Sequence, residues 1–211
     1  MVIDKAVLYE SHMATQTFMN LKDEKKEKII TALKNEFGRV ALKDALVSNI
    51  IKEASIPRGS FYQYFTDIND AYYYLISEYS TKIKKFLLDD IKKTNGDIIL
   101  SYRHLYIYIL DLISNKDNKN FFEKLFLNLD YEAQSMFTPN FNDGLNKMIN
   151  VIDINKLNIQ SKFSIAYVLD IIEAVLMSNI VKSYKRNLSK EKNIEVFEKE
   201  LALICAGIMK K

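Results

Sequence analysis

The 211-residue chain has an apolar fraction of 48%, enough for a substantial core, yet carries only five Gly and two Pro, well below average usage, which favours long helices over turn-rich β architecture. Its single cysteine, Cys205, excludes an intramolecular disulfide, and no run of about 18 uncharged apolar residues or secretory leader pattern appears, so a cytoplasmic all-α protein is expected. The net charge of +3 is unevenly placed: residues 20–66 hold nine basic against six acidic side chains, and the signs balance elsewhere.

Residues 1–20 lack a helical period and contain Met13, a natural starting residue, so they are read as an N-terminal extension outside the fold, either a flexible arm or a remnant added ahead of the natural start. A first helix is expected over residues 22–37, with Ile29, Ile30, Leu33 and Phe37 on one face and Gly38 suited to its C-terminal cap. Residues 50–65, IIKEASIPRGSFYQYF, then read as two short helices around a tight turn. Ile50, Ile51 and Ala54 give the first an apolar face, and Ser48 can accept a hydrogen bond at its start. The turn falls at Ser55 and Ile56, and Pro57 suits the first position of the next helix, where no N–H partner is needed. That helix is expected to point Arg58, Ser60, Tyr62, Gln63 and Tyr64 outward, with Phe61 and Phe65 directed at the core.

Gly59-Ser60-Phe61-Tyr62-Gln63-Tyr64-Phe65, preceded by Ile50-Ile51-Lys52-Glu53-Ala54-Ser55-Ile56, closely resembles the helix-turn-helix of TetR-family bacterial transcriptional regulators, and the match extends through residues 28–37. The resemblance implies a three-helix DNA-binding domain over residues 21–66, followed by a larger helical effector-binding and dimerisation domain over residues 67–211. It further implies a homodimer that represses from a pseudo-palindromic double-stranded DNA operator. One departure stands out: the family commonly carries a lysine just after the Tyr-x-Tyr-Phe segment, where this chain reads Thr66-Asp67-Ile68-Asn69-Asp70.

Arg58 is the first candidate for base recognition, because a guanidinium grips guanine O6 and N7 with about 1–3 kcal/mol of discrimination. Gln63 suits adenine or phosphate, while Ser48, Ser60, Tyr62 and Tyr64 offer hydroxyls to phosphate oxygens. Gly59 permits close approach of the backbone to DNA, and Lys43 can supply charge.

Asp67 is placed to cap a long helix reaching about residue 90, striped by Tyr72, Leu75, Ile76, Tyr79, Ile83, Phe86 and Leu87. Asn95-Gly96 breaks the chain before a helix over residues 97–114, and another is expected over residues 121–129, ahead of less regular sequence containing Pro139 and Gly144. Long helices close the chain over residues 161–186 and from Ser189 to Ile208. They resemble the family's dimerisation hairpin, which assigns Val168, Ile172, Val175, Leu176, Phe197, Leu201, Ile204 and Ile208 to a dimer face, although the same residues suit packing within one chain. Tyr102, His104, Tyr106, Phe122, Phe126, Phe163, Tyr167 and Asp170 combine aromatic walls with polar groups and are the candidates for a small, apolar or aromatic effector. With two histidines and one cysteine no metal site is expected, and no cofactor is implied. Neither a nucleophile–base pair nor a Gly-rich phosphate loop is recognisable, so an enzyme is not expected; the alternative is a helical protein-interaction module.

Overall fold

The computed structural model describes residues 14–137, 148–159 and 164–208, and every regular element among them is helical. In chain order these are α1 (Gln16–Met19), α2 (Asp23–Arg39), a 3₁₀ turn (Leu42–Asp44), α3 (Val47–Glu53), α4 (Arg58–Tyr64), α5 (Ile68–Lys93), α6 (Ile98–Ser114), α7 (Lys119–Leu127), α8 (Tyr131–Phe137), a second 3₁₀ turn (Ile154–Lys156), α9 (Ser164–Arg186) and α10 (Lys190–Ile208). The all-α class is as expected. Thr138–Pro139, Asp143–Gly144 and Phe163 lie outside the described residues.

The described chain forms two compact units. The first contains the residues up to Ser80 together with Ser114–Met136; the second contains Thr81–Ile113 and the residues from Phe137 on.

In the first unit α2 keeps Ile29, Leu33 and Phe37 on one buried face. Gly38 does not cap this helix. It lies inside α2 and is buried, with a Cβ built there only 3.0 Å from Asn120 Cβ and from Phe121 N. The residue is small because α2 and α7 meet at that point. Beside it, Tyr79 Oη donates to Asn118 Oδ1 at 2.6 Å, and the Tyr79 and Phe121 rings stack at 5.9 Å. α7 thus belongs to the same core as the two short helices. Phe122 and Phe126, expected to line an effector site, are buried here instead, Phe122 packing on Phe121 and Tyr79 and Phe126 stacking on Phe122.

Residues 14–20 correct the extension assigned to residues 1–20. Thr15 caps α1, its hydroxyl accepting from Phe18 N, and Phe18 is fully buried among Tyr64, Phe65 and Tyr74 at ring separations of 4.9–5.8 Å. A Thr at an N-cap and a phenylalanine three residues on fold this piece onto the unit.

α5 begins as expected at Asp67, whose carboxylate accepts from Asp70 N at 2.8 Å; Asp70 reciprocates on Thr66 N at 2.8 Å. It ends at a left-handed pair, Asn95 with φ +53° and Gly96 with φ +79°, and Gly96 N donates to Ile91 O at 2.8 Å. A Cβ at Gly96 would stand 2.4 Å from Asp153 N, so only glycine fits this turn.

In the second unit α9 is long and apolar enough by length and composition to cross a membrane. It also buries Ile165, Val168, Leu169, Ile172, Leu176 and Ile180, while α10 buries Phe197 and Leu201. This corrects most of the expected dimer face. Val168, Ile172, Leu176, Phe197 and Leu201 are consumed inside the chain, whereas Val175, Ile204 and Ile208 are half-buried. On α9 and α10 the large apolar side chains exposed to solvent, among the described residues, are Tyr167, Ile171 and Leu203, the last 78% exposed.

Candidate nucleic-acid interface

The reading head starts from a carboxylate. Glu36, on the inner face of α2 and only 3% exposed, accepts from Arg39 Nε and Nη2 at 2.8–3.0 Å, from Leu46 N at 2.8 Å and from Asn49 Nδ2 at 3.1 Å. Leu46 is the N-cap residue of α3 and has no capping side chain, so a residue from the preceding helix satisfies a donor that would otherwise be orphaned. Burial alone would raise the Glu36 pKa. The hydrogen bonds from Arg39, Leu46 and Asn49, with the Arg39 charge, outweigh it and hold the carboxyl below its usual range. Ser48, expected to start α3, instead lies within its first turn with an exposed side chain.

The turn between α3 and α4 matches the sequence reading. Ser55 takes φ +53°, Ile56 N donates to Ile51 O at 3.0 Å, and Pro57 is the N-cap of α4, so the helix begins at Arg58, one residue later than expected. Ile50 and Phe61 are fully buried beneath the pair, which fixes the angle between the two helices by packing.

What α4 shows to solvent is selective. Arg58, Gly59, Tyr62 and Gln63 are exposed and Ser60 is half-buried. Arg58 Nη2 donates to Tyr62 Oη at 3.4 Å and its guanidinium carbon stands 5.8 Å from that ring's centre, a one-turn contact that holds the cation along the helix surface. Nothing lies within 4 Å of a Cβ built at Gly59, so the surface there is open. Lys43 is exposed beside the 3₁₀ turn. Tyr64 departs from expectation. It is 3% exposed, its ring edge-on to Phe18 at 5.8 Å, because Phe61, Tyr64 and Phe65 form an i, i+3, i+4 face and Phe18 completes the pocket.

Three residues outside the expected set shape this surface. Thr15 and Glu36 hold its two ends by hydrogen bonds, and Lys25 stands 5.8 Å over the Tyr64 ring. The signal for Thr15 is an N-cap residue ahead of a lone phenylalanine; for Glu36 it is a carboxylate on the apolar stripe of α2, three residues before Arg39.

The candidate effector residues of the second unit do not share one environment. Tyr102 is fully buried and donates to Glu173 Oε1 at 2.7 Å. Burial pushes the Glu173 carboxyl up to about 7; the Tyr102 hydroxyl lowers it, Asp170 raises it and Lys84 lowers it. Tyr106 is buried and stacks on Phe197 at 4.2 Å. His104 Nδ1 meets Asp90 Oδ2 at 2.9 Å in a half-exposed pair. Tyr167 and Asp170 face solvent. Among the described residues no group of three or more His, Cys, Asp or Glu is placed to hold a metal ion.

A family model described as the tetracyclin repressor-like C-terminal domain matches residues 97–208. Similar solved structures include SmeT, the repressor of the multidrug efflux pump SmeDEF of Stenotrophomonas maltophilia, 15% identical, covering 92% of this chain and 93% of that one with a TM-score of 0.61. NalD, the secondary repressor of the MexAB-OprM multidrug efflux pump in Pseudomonas aeruginosa, is 12% identical, with 90% and 98% covered and a TM-score of 0.61. A TetR-family transcriptional regulator from Chloroflexus aurantiacus J-10-FL is 20% identical, with 94% and 100% covered and a TM-score of 0.50. At these identities what is shared is the fold. No curated protein matches the sequence.

Proposed function

Because the chain belongs to the TetR family of transcriptional regulators, we propose that it is a homodimeric, cytoplasmic repressor that reads a pseudo-palindromic operator with α4. A small apolar or aromatic ligand bound by the second unit would release it. The observation that carries the reading is the face of α4, where Arg58, Gly59, Tyr62 and Gln63 are exposed together and Arg58 is held along Tyr62. α4 has only seven residues and reaches few base pairs. Two copies related by a two-fold axis would read half-sites in successive major grooves, about 34 Å apart. Tyr167, Ile171 and Leu203, apolar and exposed on α9 and α10, are the side chains we assign to the contact with the second copy. SmeT and NalD are described as repressors, which supports repression for this chain. Release requires a ligand that binds the two states unequally, since equal affinity shifts no equilibrium.

The test is selection of duplexes from a randomised pool by the purified protein, followed by titration across a salt series with unrelated DNA as competitor, and sedimentation to fix the subunit number. A two-fold symmetric site that resists competition, with affinity falling steeply as salt rises, supports the reading. Weak binding lost equally to any competitor would sink it and leave a helical interaction module. Within the selected site, Arg58→Ala is expected to cost about tenfold in affinity and to relax preference at one base pair per half-site. Sedimentation of the variant should be unchanged.

A further inference from the structure

The C-terminal end of α4 is not left to solvent. Helix ends leave carbonyls without intrahelical partners, and here two of them are taken by one residue: Thr15 N donates to Tyr64 O at 3.0 Å, and Thr15 Oγ donates to Gln63 O at 2.6 Å. The hydroxyl bond alone bridges 48 residues of sequence, and both are tertiary contacts. Thr15 is itself held by α1, whose only buried side chain, Phe18, packs against Tyr64 at 5.8 Å and Phe65 at 4.9 Å. Gln63 is the last exposed side chain of α4, and its own carbonyl is the one the Thr15 hydroxyl grips. The gripped peptide therefore sets the direction in which the Gln63 side chain leaves the helix.

We infer that Thr15 is a positioning residue for DNA reading, clasping the end of α4 so that Gln63 meets the duplex in one orientation. The inference rests on α4 being the reading helix. Arg58, at the opposite end of α4, is fixed by Tyr62 within the same helix and does not depend on the clasp. Loss of the Thr15 hydroxyl therefore acts on the Gln63 side of the half-site and leaves phosphate contacts in place.

The experiment compares wild type, Thr15→Val, Thr15→Ser and Gln63→Ala on the duplex selected by the wild-type protein and on an unrelated duplex, at a temperature where circular dichroism shows every variant folded. Thr15→Val keeps the shape and the backbone N–H but removes the hydroxyl. It is expected to weaken binding to the selected duplex about fivefold, to leave binding to the unrelated duplex and the salt slope unchanged, and to add little to the loss caused by Gln63→Ala when the two are combined. Thr15→Ser is expected to restore wild-type affinity. A lowered melting temperature with unchanged affinity of the folded variant overturns the inference, since it assigns the hydroxyl to stability alone. Equal loss on both duplexes, or full additivity with Gln63→Ala, overturns it as well. Failure of the wild-type protein to select any duplex refutes the DNA-reading function instead, and so is distinguishable.

Discussion

Glu36→Ala is expected to lower the stability of the first unit by about 3 kcal/mol, a loss assembled from one missing helix cap and the desolvated donors left behind. In the wild type the carboxylate satisfies Leu46 N at the start of α3 and the Asn49 amide, both part-buried, and pairs with Arg39, whose side chain is 54% exposed. The exposed partner regains water when the carboxylate is removed; Leu46 N and Asn49 do not regain it fully, so most of the cost falls on α3. Urea denaturation should show the lower midpoint, and amide exchange at Leu46, Asn49 and Ile50 should accelerate ahead of the rest. The same group carries a pH dependence of definite sign. Its carboxyl titrates lower in the folded protein than the unfolded value of about 4.3. It therefore contributes stability above that value, which is lost as pH falls through the lower folded one. Glu36→Gln should flatten this acid limb, and an unchanged limb would remove Glu36 from the account.

The second large effect has the opposite sign. Glu173 is expected to cost stability at high pH, because burial raises its carboxyl to about 7 while in the unfolded chain it titrates near 4.3. Below about pH 4 it is neutral in both states and carries no penalty. As pH rises from there to 7 the unfolded chain ionises first and folding becomes progressively less favourable, with the full penalty present above 7. Glu173→Gln keeps an acceptor for the Tyr102 hydroxyl and removes the charge. It should gain on wild type by about 2 kcal/mol between pH 5 and pH 8. Melting temperatures of the two proteins measured in parallel over that range should diverge with rising pH, and parallel curves would show that the carboxyl stays solvated.

Much of this molecule is legible in its sequence. The stripe of α2, the turn into α4 at Pro57, the cap at Asp67 and the break at Asn95-Gly96 each depend on neighbours within a few residues, which a linear pattern contains. The exposed set Arg58, Gly59, Tyr62 and Gln63 is legible for the same reason, since a seven-residue helix with a buried aromatic face has only one other side. The misreadings concern partners distant in sequence. Tyr64 is expected outward because a tyrosine serves as core or as surface, and its burial is decided by Phe18, 46 residues away. Gly38 suits a helix stop by its local sequence, and only Asn120 and Phe121 show that it accommodates a crossing. Phe122 and Phe126 carry a helical stripe that says they are buried but not in which unit. For α9 and α10 the apolar residues split into a buried face and the exposed Tyr167, Ile171 and Leu203, a division that depends on which side of each helix meets the other.

The turn at Asn95 and Gly96 also bears on how this protein ages. An asparagine followed by glycine is especially prone to deamidation, since the glycine nitrogen attacks the side-chain amide carbon, expels ammonia and closes a succinimide ring that water then opens to an aspartate or isoaspartate. In the fold that nitrogen already donates to Ile91 O at 2.8 Å, and both residues are held in left-handed conformations, with Gly96 buried against Asp153. The attack geometry is therefore reached only when the end of α5 opens. The mass increase at Asn95 during storage becomes a clock for that opening, slow in the intact protein and fast in any preparation whose second unit has loosened.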